Sequence, residues 1–199
     1  RRGRPRREID LEKVADAVER LFTEEGYDAV SIDRAAKELE VSRATLYRTV
    51  PSKEHLLAIL FERMTEELHR AALVIVGDTQ ASPRERLMGL IEAQIEAAFR
   101  QREFLFVLFG GGWLPREFYA RWLQWQEQYE LVWRTAVTDA IAAGEIAGED
   151  PVITTRLILG MTLWVSRWIR PAETYTADQI ARATEELILP AIGHAAPTR

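Results

Sequence analysis

Between Arg43 and Lys53 the chain sets three cations, Arg43, Arg48 and Lys53, beside the hydroxyls of Thr45 and Tyr47 and the small Ala44, with no carboxylate in the interval. Guanidinium and ammonium groups at that density neutralise phosphates, and arginine and hydroxyl side chains also reach base edges. The chemistry of this stretch is recognition of duplex DNA. Five further arginines, Arg1, Arg2, Arg4, Arg6 and Arg7, open the chain around Gly3 and Pro5. A basic arm of this kind is either a solvated tail or a minor-groove reader, and in the second case Arg4 and Arg6 do the reading.

These groups need a frame that turns them outward. Over 32–39, Ile32, Ala35, Ala36 and Leu39 recur at i, i+3, i+4 and i+7, the spacing of one buried helical stripe. Over 43–50, Leu46 and Val50 lie four apart and face the same core, which leaves Arg43, Ala44, Thr45 and Arg48 pointing away. Glu40-Val41-Ser42 is the turn between the two, and the Ser42 hydroxyl is placed to cap the second helix. Two short amphipathic helices of any bundle share this pattern. The clustered cations favour a helix-turn-helix, in which the second helix enters the major groove.

The segment LFTEEGYDAVSIDRAAKELEVSRATLYRTVPSKEHLL, residues 21–57, resembles the N-terminal signature of the tetracycline-repressor (TetR) family of bacterial transcriptional regulators. The likeness runs from about Leu11 to Leu60. It implies that Ser31, Arg43, Thr45, Tyr47, Arg48 and Lys53 contact DNA, with Tyr47 and Lys53 on phosphates. Thr49 and Val50 depart from the His-Phe pair commonest in the family, so the phosphate contact of that ring is missing at Thr49.

Composition sets limits on the remainder. A chain of 199 residues buries a sizeable core and exceeds what one DNA-binding module needs. The absence of cysteine excludes disulfides and thiolate metal sites and suits a reducing compartment. No stretch resembles a secretory signal, and apolar runs such as 104–109 are too short to span a bilayer. The expected location is cytoplasmic, with no membrane partner. The formal net charge of -5 is unevenly spread, since residues 1–53 sum to +1 and the rest to -6. Charge distribution governs DNA attraction more than the total does.

Periodicity predicts helices throughout. The first spans 10–25 and ends at Gly26. A long helix over 53–76 carries Leu57, Leu60, Phe61, Met64 and Leu68 on one stripe and at roughly 35 Å is long enough to join two domains. Ser82-Pro83-Arg84-Glu85 is a capping box with proline at the first helical position. Its helix turns Leu87, Leu90, Ile91, Ile95, Ala98 and Phe99 inward. Residues 104–109 are apolar all round and must be buried, and the glycines 110–112 read as a loop beside a pocket because they lack the lysine of a phosphate-cradling loop. A helix over 115–143 follows, then one from Asp150-Pro151 to about Arg170, then one opened by a Thr176/Gln179 capping box with Ile180, Ala183, Leu187, Ile188 and Ile192 on its stripe.

No catalytic constellation is present. His55, His69 and His194 have no metal-binding spacing, and there is no G-x-S-x-G. Enzyme activity, metal and cofactor are therefore not expected. All six tryptophans lie beyond the DNA-binding half. Core packing explains any one of them, while six rings around a glycine-rich break also suit the wall of an apolar pocket. The candidate effector-binding residues are Phe106, Phe109, Trp113, Phe118, Trp122, Trp125, Tyr129, Trp133, Met161, Trp164, Arg167, Trp168 and Arg170. Arg167 and Arg170 beside Trp164 and Trp168 either clamp an anionic group or complement the helix dipole and pair with Glu173.

The stretch 157–171 followed by 175–180 resembles the C-terminal half of TetR-type regulators that respond to acyl-coenzyme A thioesters. That resemblance implies a ligand among the middle helices and a four-helix bundle formed with a second subunit. The expectation is an all-α protein of about nine helices. Residues 1–52 form a three-helix DNA-binding domain with its basic arm, and residues 53–199 a ligand-binding and dimerisation domain. It binds a palindromic operator in double-stranded DNA as a homodimer and is released by a small hydrophobic effector, with acyl-coenzyme A a candidate. The alternatives are the same fold sensing a drug-like or other hydrophobic metabolite and, from another class, a helical enzyme or lipid carrier.

Overall fold

A computed structural model describes residues 9–108, 114–169 and 173–189. The described residues form nine α-helices and no strand: α1 (Leu11–Glu25), α2 (Ile32–Glu38), α3 (Arg43–Tyr47), α4 (Lys53–Gly77), α5 (Pro83–Arg100), α6 (Arg102–Leu108), α7 (Arg116–Ala142), α8 (Pro151–Trp168) and α9 (Ala177–Ile188). Tyr27–Ala29 adds a single 3-10 turn after α1.

Side-chain caps fix most starts, because the first N–H groups of a helix have no partner within it. Asp10, Ser31 and Ser42 cap α1, α2 and α3. Ser82 with Glu85, and Thr176 with Gln179, form complete capping boxes on α5 and α9, and Asp150 with Pro151 opens α8. Glu85 is held below its ordinary carboxylate pKa mainly by the Ser82 backbone N–H. At the end of α1, Gly26 takes φ 83°, ψ -179°, a positive-φ conformation open to glycine, and its N–H returns to the Phe22 carbonyl.

The chain divides into two compact units. The first comprises Arg1–Glu66 and Gly110–Leu123, the second Glu67–Phe109 and Gln124–Arg199. In the first, α1 packs on α2 and α2 on α3. Its interior includes Val14, Val18, Ala35, Leu46, Val50, Leu56 and Leu57. In the second, α5 packs on both α8 and α9, and α6 packs on α8. Leu87, Leu90, Ile91, Ile95, Trp133, Val137 and Ile158 are buried in one cluster there. The residue pattern specifies these faces directly. Of the α5 stripe read as inward, Leu87, Leu90, Ile91, Ile95 and Ala98 are buried, and Phe99 is half-buried against the same core.

The structure shortens three elements relative to their periodicity. The segment 43–50 is helical for five residues, and Val50 packs from beyond the helix end. Helix α8 ends at Trp168 and α9 at Ile188. The arm arginines Arg4 and Arg6, the residues Phe109 and Trp113, the glycines 110–112, Arg170, Ile192 and His194 lie outside the described residues. So does the side chain of Phe106.

Candidate functional site

A five-residue helix does not hold itself together, since isolated helices below about a dozen residues are marginal in water. Tertiary contacts hold α3. Leu46 and Val50 are both 0% exposed. Ser42 accepts the Thr45 backbone N–H at 3.1 Å, and the two hydroxyls lie 2.7 Å apart. The preceding turn is closed by a helix-ending motif in which Val41 N–H bonds the Ala36 carbonyl at 3.0 Å and Glu40 N–H bonds that of Lys37 at 3.1 Å. Glu40 takes φ 53° to make it, a left-handed conformation usually left to glycine or asparagine.

The outer face that results carries Arg43, Ala44, Tyr47, Arg48 and Thr49 in solvent, with Thr45 half-buried against the cap. Arg43 lies 3.2 Å from the Asp33 carboxylate on α2. Arg48 has no ion-pair partner among the described residues. Ser31 is engaged as the α2 cap, accepting from Arg34 N–H at 3.3 Å. Lys53 donates to the Tyr27 carbonyl at 2.6 Å and sits 3.5 Å from the centre of the Tyr27 ring. Burial lowers the Lys53 pKa, while Asp28 and Glu54 oppose that shift. Sequence reasoning missed Asp33 and Tyr27, whose roles come from residues distant in sequence or on another helix.

The start of α7 belongs to the same unit. His55 is 3.0 Å from Glu117 through Nε2 and 2.9 Å from Ser52 Oγ through Nδ1, and it meets the Phe118 ring edge-on. Arg121 bonds Glu62 and lies over Phe118. Of the candidate effector residues, Phe118 and Trp122 therefore fall in the first unit. Trp125, Tyr129, Trp133, Met161, Trp164, Arg167 and Trp168 fall in the second.

Within the second unit those residues separate further. Trp133 is 0% exposed and Tyr129 5%. The Tyr129 hydroxyl donates to Gln94 Oε1 at 2.7 Å, Trp125 stacks on the Tyr129 ring at 4.9 Å, and His69 meets its edge at 6.1 Å. Burial pushes the Tyr129 phenol well above its ordinary range. The buried Trp133 Nε1 has the Tyr129 hydroxyl oxygen, which keeps acceptor lone pairs after donating to Gln94, as its polar neighbour. Gln94 was also missed, although a polar residue between Ile91 and Ile95 on an otherwise apolar stripe is a signal available in the sequence.

Helix α8 presents two faces. Thr155, Ile158, Thr162, Val165 and Ser166 are buried, and each of the three hydroxyls donates to a carbonyl three or four residues earlier. The other face exposes Ile153, Leu157, Trp164 and Trp168, with Trp164 62% exposed, while Met161 is half-buried. Arg167 lies over the Trp164 ring at 5.7 Å. Among the described residues no group of His, Cys, Asp or Glu is arranged to hold a metal, and no helix is long and apolar enough to cross a membrane.

A capped short helix turned outward from a three-helix core, followed by a separate helical unit, defines a helix-turn-helix regulator. The family described as bacterial regulatory proteins of the tetR type matches residues 14–60, and the tetracyclin repressor-like C-terminal domain matches residues 80–192. The chain belongs to the TetR family of transcriptional regulators. It is 37% identical over 83 residues to an HTH-type transcriptional regulator of Mycobacterium tuberculosis, covering 42% of this chain and 41% of that one. The match thus spans about two-fifths of that curated relative's length. It is 26% identical over 174 residues to the HTH-type transcriptional repressor KstR2 of the same organism, covering 85% of this chain and 86% of KstR2. A crystal structure of AibR with isovaleryl coenzyme A and operator DNA superposes with a TM-score of 0.71 at 25% identity, covering 90% of this chain and 98% of that one.

Because α3 depends on one fully buried leucine, Leu46→Ala is expected to cost about 2–5 kcal/mol, whereas a change at exposed Ala44 should stay within about 0.5 kcal/mol. Urea unfolding of the two variants measures both.

Proposed function

We propose that the chain is a dimeric repressor that binds a palindromic operator through α3 and is released by a hydrophobic effector, with residues 1–52 as its DNA-binding domain and 53–199 as its ligand-binding and dimerisation domain. The observation that carries this reading is the Ser42-capped helix with Arg43, Ala44, Tyr47 and Arg48 in solvent above a buried Leu46. Arg48 contributes to base readout, and Arg43 joins it by leaving Asp33. Ser31, Thr45, Tyr47 and Lys53 contact the backbone, Lys53 after exchanging Tyr27 for a phosphate, and Arg4 and Arg6 reach the minor groove. Such a regulator works in the cytoplasm, where the operator is. A helical enzyme lacks support because, among the described residues, no acid-base constellation accompanies the buried polar groups.

On an operator selected from random duplexes, Arg48→Ala should cost about 1–3 kcal/mol and relax base preference. Lys53→Ala should weaken all duplexes alike and lower the salt slope by about 1. Titrations at several salt concentrations distinguish the two, and identical loss of preference in both variants would contradict the assigned roles.

A second copy of the chain supplies cover for the outer face of α8. Ile153, Leu157, Trp164 and Trp168 recur on that face, and Leu187 on α9 is 77% exposed. Apolar surface of this extent marks an interaction site, and one half-site contributes too little specificity for a regulator. Trp164→Glu is expected to give a monomer by light scattering that loses operator affinity.

The effector reading is supported by the aromatic core of the second unit, by the likeness to AibR, crystallised with an acyl-coenzyme A, and by Arg167 beside Trp164. Octanoyl-coenzyme A is expected to bind tighter than octanoic acid and to release operator DNA, and Arg167→Ala to remove most of the difference. Calorimetry with gel shifts reads both. Equal affinity for acid and thioester would instead favour a neutral hydrophobic metabolite.

A further inference from the structure

We propose that Asp33 is a specificity-determining residue of the DNA-reading surface, its carboxylate accepting from the 4-amino group of a cytosine once Arg43 has left it for a guanine. The inference rests on the reading of the chain as an operator-binding regulator and goes beyond it by assigning a base to a residue outside α3.

Placement comes first. Asp33 is the second residue of α2, whose start is fixed by the Ser31 hydroxyl accepting from Arg34 N–H. Helix α2 packs on α3, with Ile32, Ala35, Ala36 and Leu46 all buried. The first turn of α2 thereby meets the first residue of α3. Arg43 lies 3.2 Å from the Asp33 carboxylate, and both side chains are more than half exposed. The N-terminal residues of the second helix are the ones that meet base edges when a helix-turn-helix enters the major groove, so Asp33 stands at that same edge.

Other carboxylates of this unit are engaged away from α3. Glu25 accepts from both terminal nitrogens of Arg34, and Glu38 lies 3.6 Å from Arg20 on α1. Asp33 differs because its partner is a residue that goes to the bases. Arginine takes guanine through O6 and N7 together, a fork geometry that also suits a carboxylate. When Arg43 makes that exchange, the Asp33 carboxylate loses its guanidinium at the surface of a polyanion. Such a charge is costly there unless a donor replaces the one that left.

The base edges decide which donor that is. Phosphates offer none, and the keto oxygens of guanine and thymine are acceptors that repel a carboxylate. The amino groups of cytosine and adenine donate, and cytosine is the one paired with the guanine that Arg43 takes. A G·C pair presents acceptor, acceptor and donor across the major groove. Arg43 and Asp33 supply donor, donor and acceptor, so the two residues read both strands of one pair.

The test begins with wild-type full-length protein selecting operators from a random duplex library. Each cytosine of the selected operator is then replaced in turn by N4-methylcytosine, which keeps the Watson–Crick pair but puts a methyl group where the groove-facing amino hydrogen was. Methylation of one cytosine is expected to weaken binding about tenfold. Asp33→Ala should bind the methylated and unmethylated duplexes alike, and should bind random duplexes a few-fold tighter because a negative charge is gone. Replacing the guanine opposite that cytosine by 7-deazaguanine should weaken the wild type and leave Arg43→Ala unaffected. Cytosines that are all insensitive to methylation, a sensitivity that survives in Asp33→Ala, or a paired guanine indifferent to loss of N7 would each overturn the inference. The scan on unaltered protein decides independently of how either variant folds. If the wild type selects no operator, the regulator reading fails as well, whereas a selected operator without a methylation-sensitive cytosine ends this inference alone.

Discussion

Helix α3, the proposed DNA-facing helix, is five residues long, and everything asked of it depends on burying the two side chains that point the other way. Leu46 and Val50 sit at 0% exposure in the first unit. The hydrophobic effect acting on them, together with the Ser42 cap and the closed turn at Glu40, supplies what so short a helix lacks in hydrogen bonds. Outward presentation of Arg43, Ala44, Tyr47 and Arg48 follows from helical geometry once those two are fixed. The solvent-facing surface of α3 is thus a by-product of the core beneath it.

Three of the cations around that surface, Arg43, Arg34 and Lys53, have partners within the protein. Arg43 rests near Asp33, Arg34 is paired with Glu25, and Lys53 lies against the Tyr27 ring and carbonyl. Exposed pairs of this kind contribute little stability, so exchanging a carboxylate for a phosphate is energetically inexpensive. Their physical consequence is orientation, because a guanidinium already held at one end has fewer conformations to lose on binding. In a chain of net charge -5, local pairing of this sort matters to how the surface meets a polyanion.

The second unit poses a different problem. Its core holds buried rings and aliphatic chains, yet includes Gln94, Tyr129, Thr155, Thr162 and Ser166. The three hydroxyls of α8 satisfy themselves on their own helix. Gln94 and Tyr129 satisfy each other across two helices.

Much of this was legible in the residues alone. Apolar spacing at 3.6 residues located the helices, the Ser, Thr and Asp caps located their starts, and Leu46 and Val50 four apart located the buried side of α3, because these are local properties of consecutive residues. Tertiary structure decided what depends on partners far along the chain. It placed Asp33 beside Arg43 and Tyr27 beneath Lys53, and it divided the α7 aromatics so that Phe118 and Trp122 belong to one unit and Trp125, Tyr129 and Trp133 to the other. It also set Trp133 in the core while leaving Trp164 in solvent, although both are tryptophans on amphipathic helices. The physical reason is that periodicity says which residues share a face, whereas the identity of the surface opposite that face is a property of the packed chain.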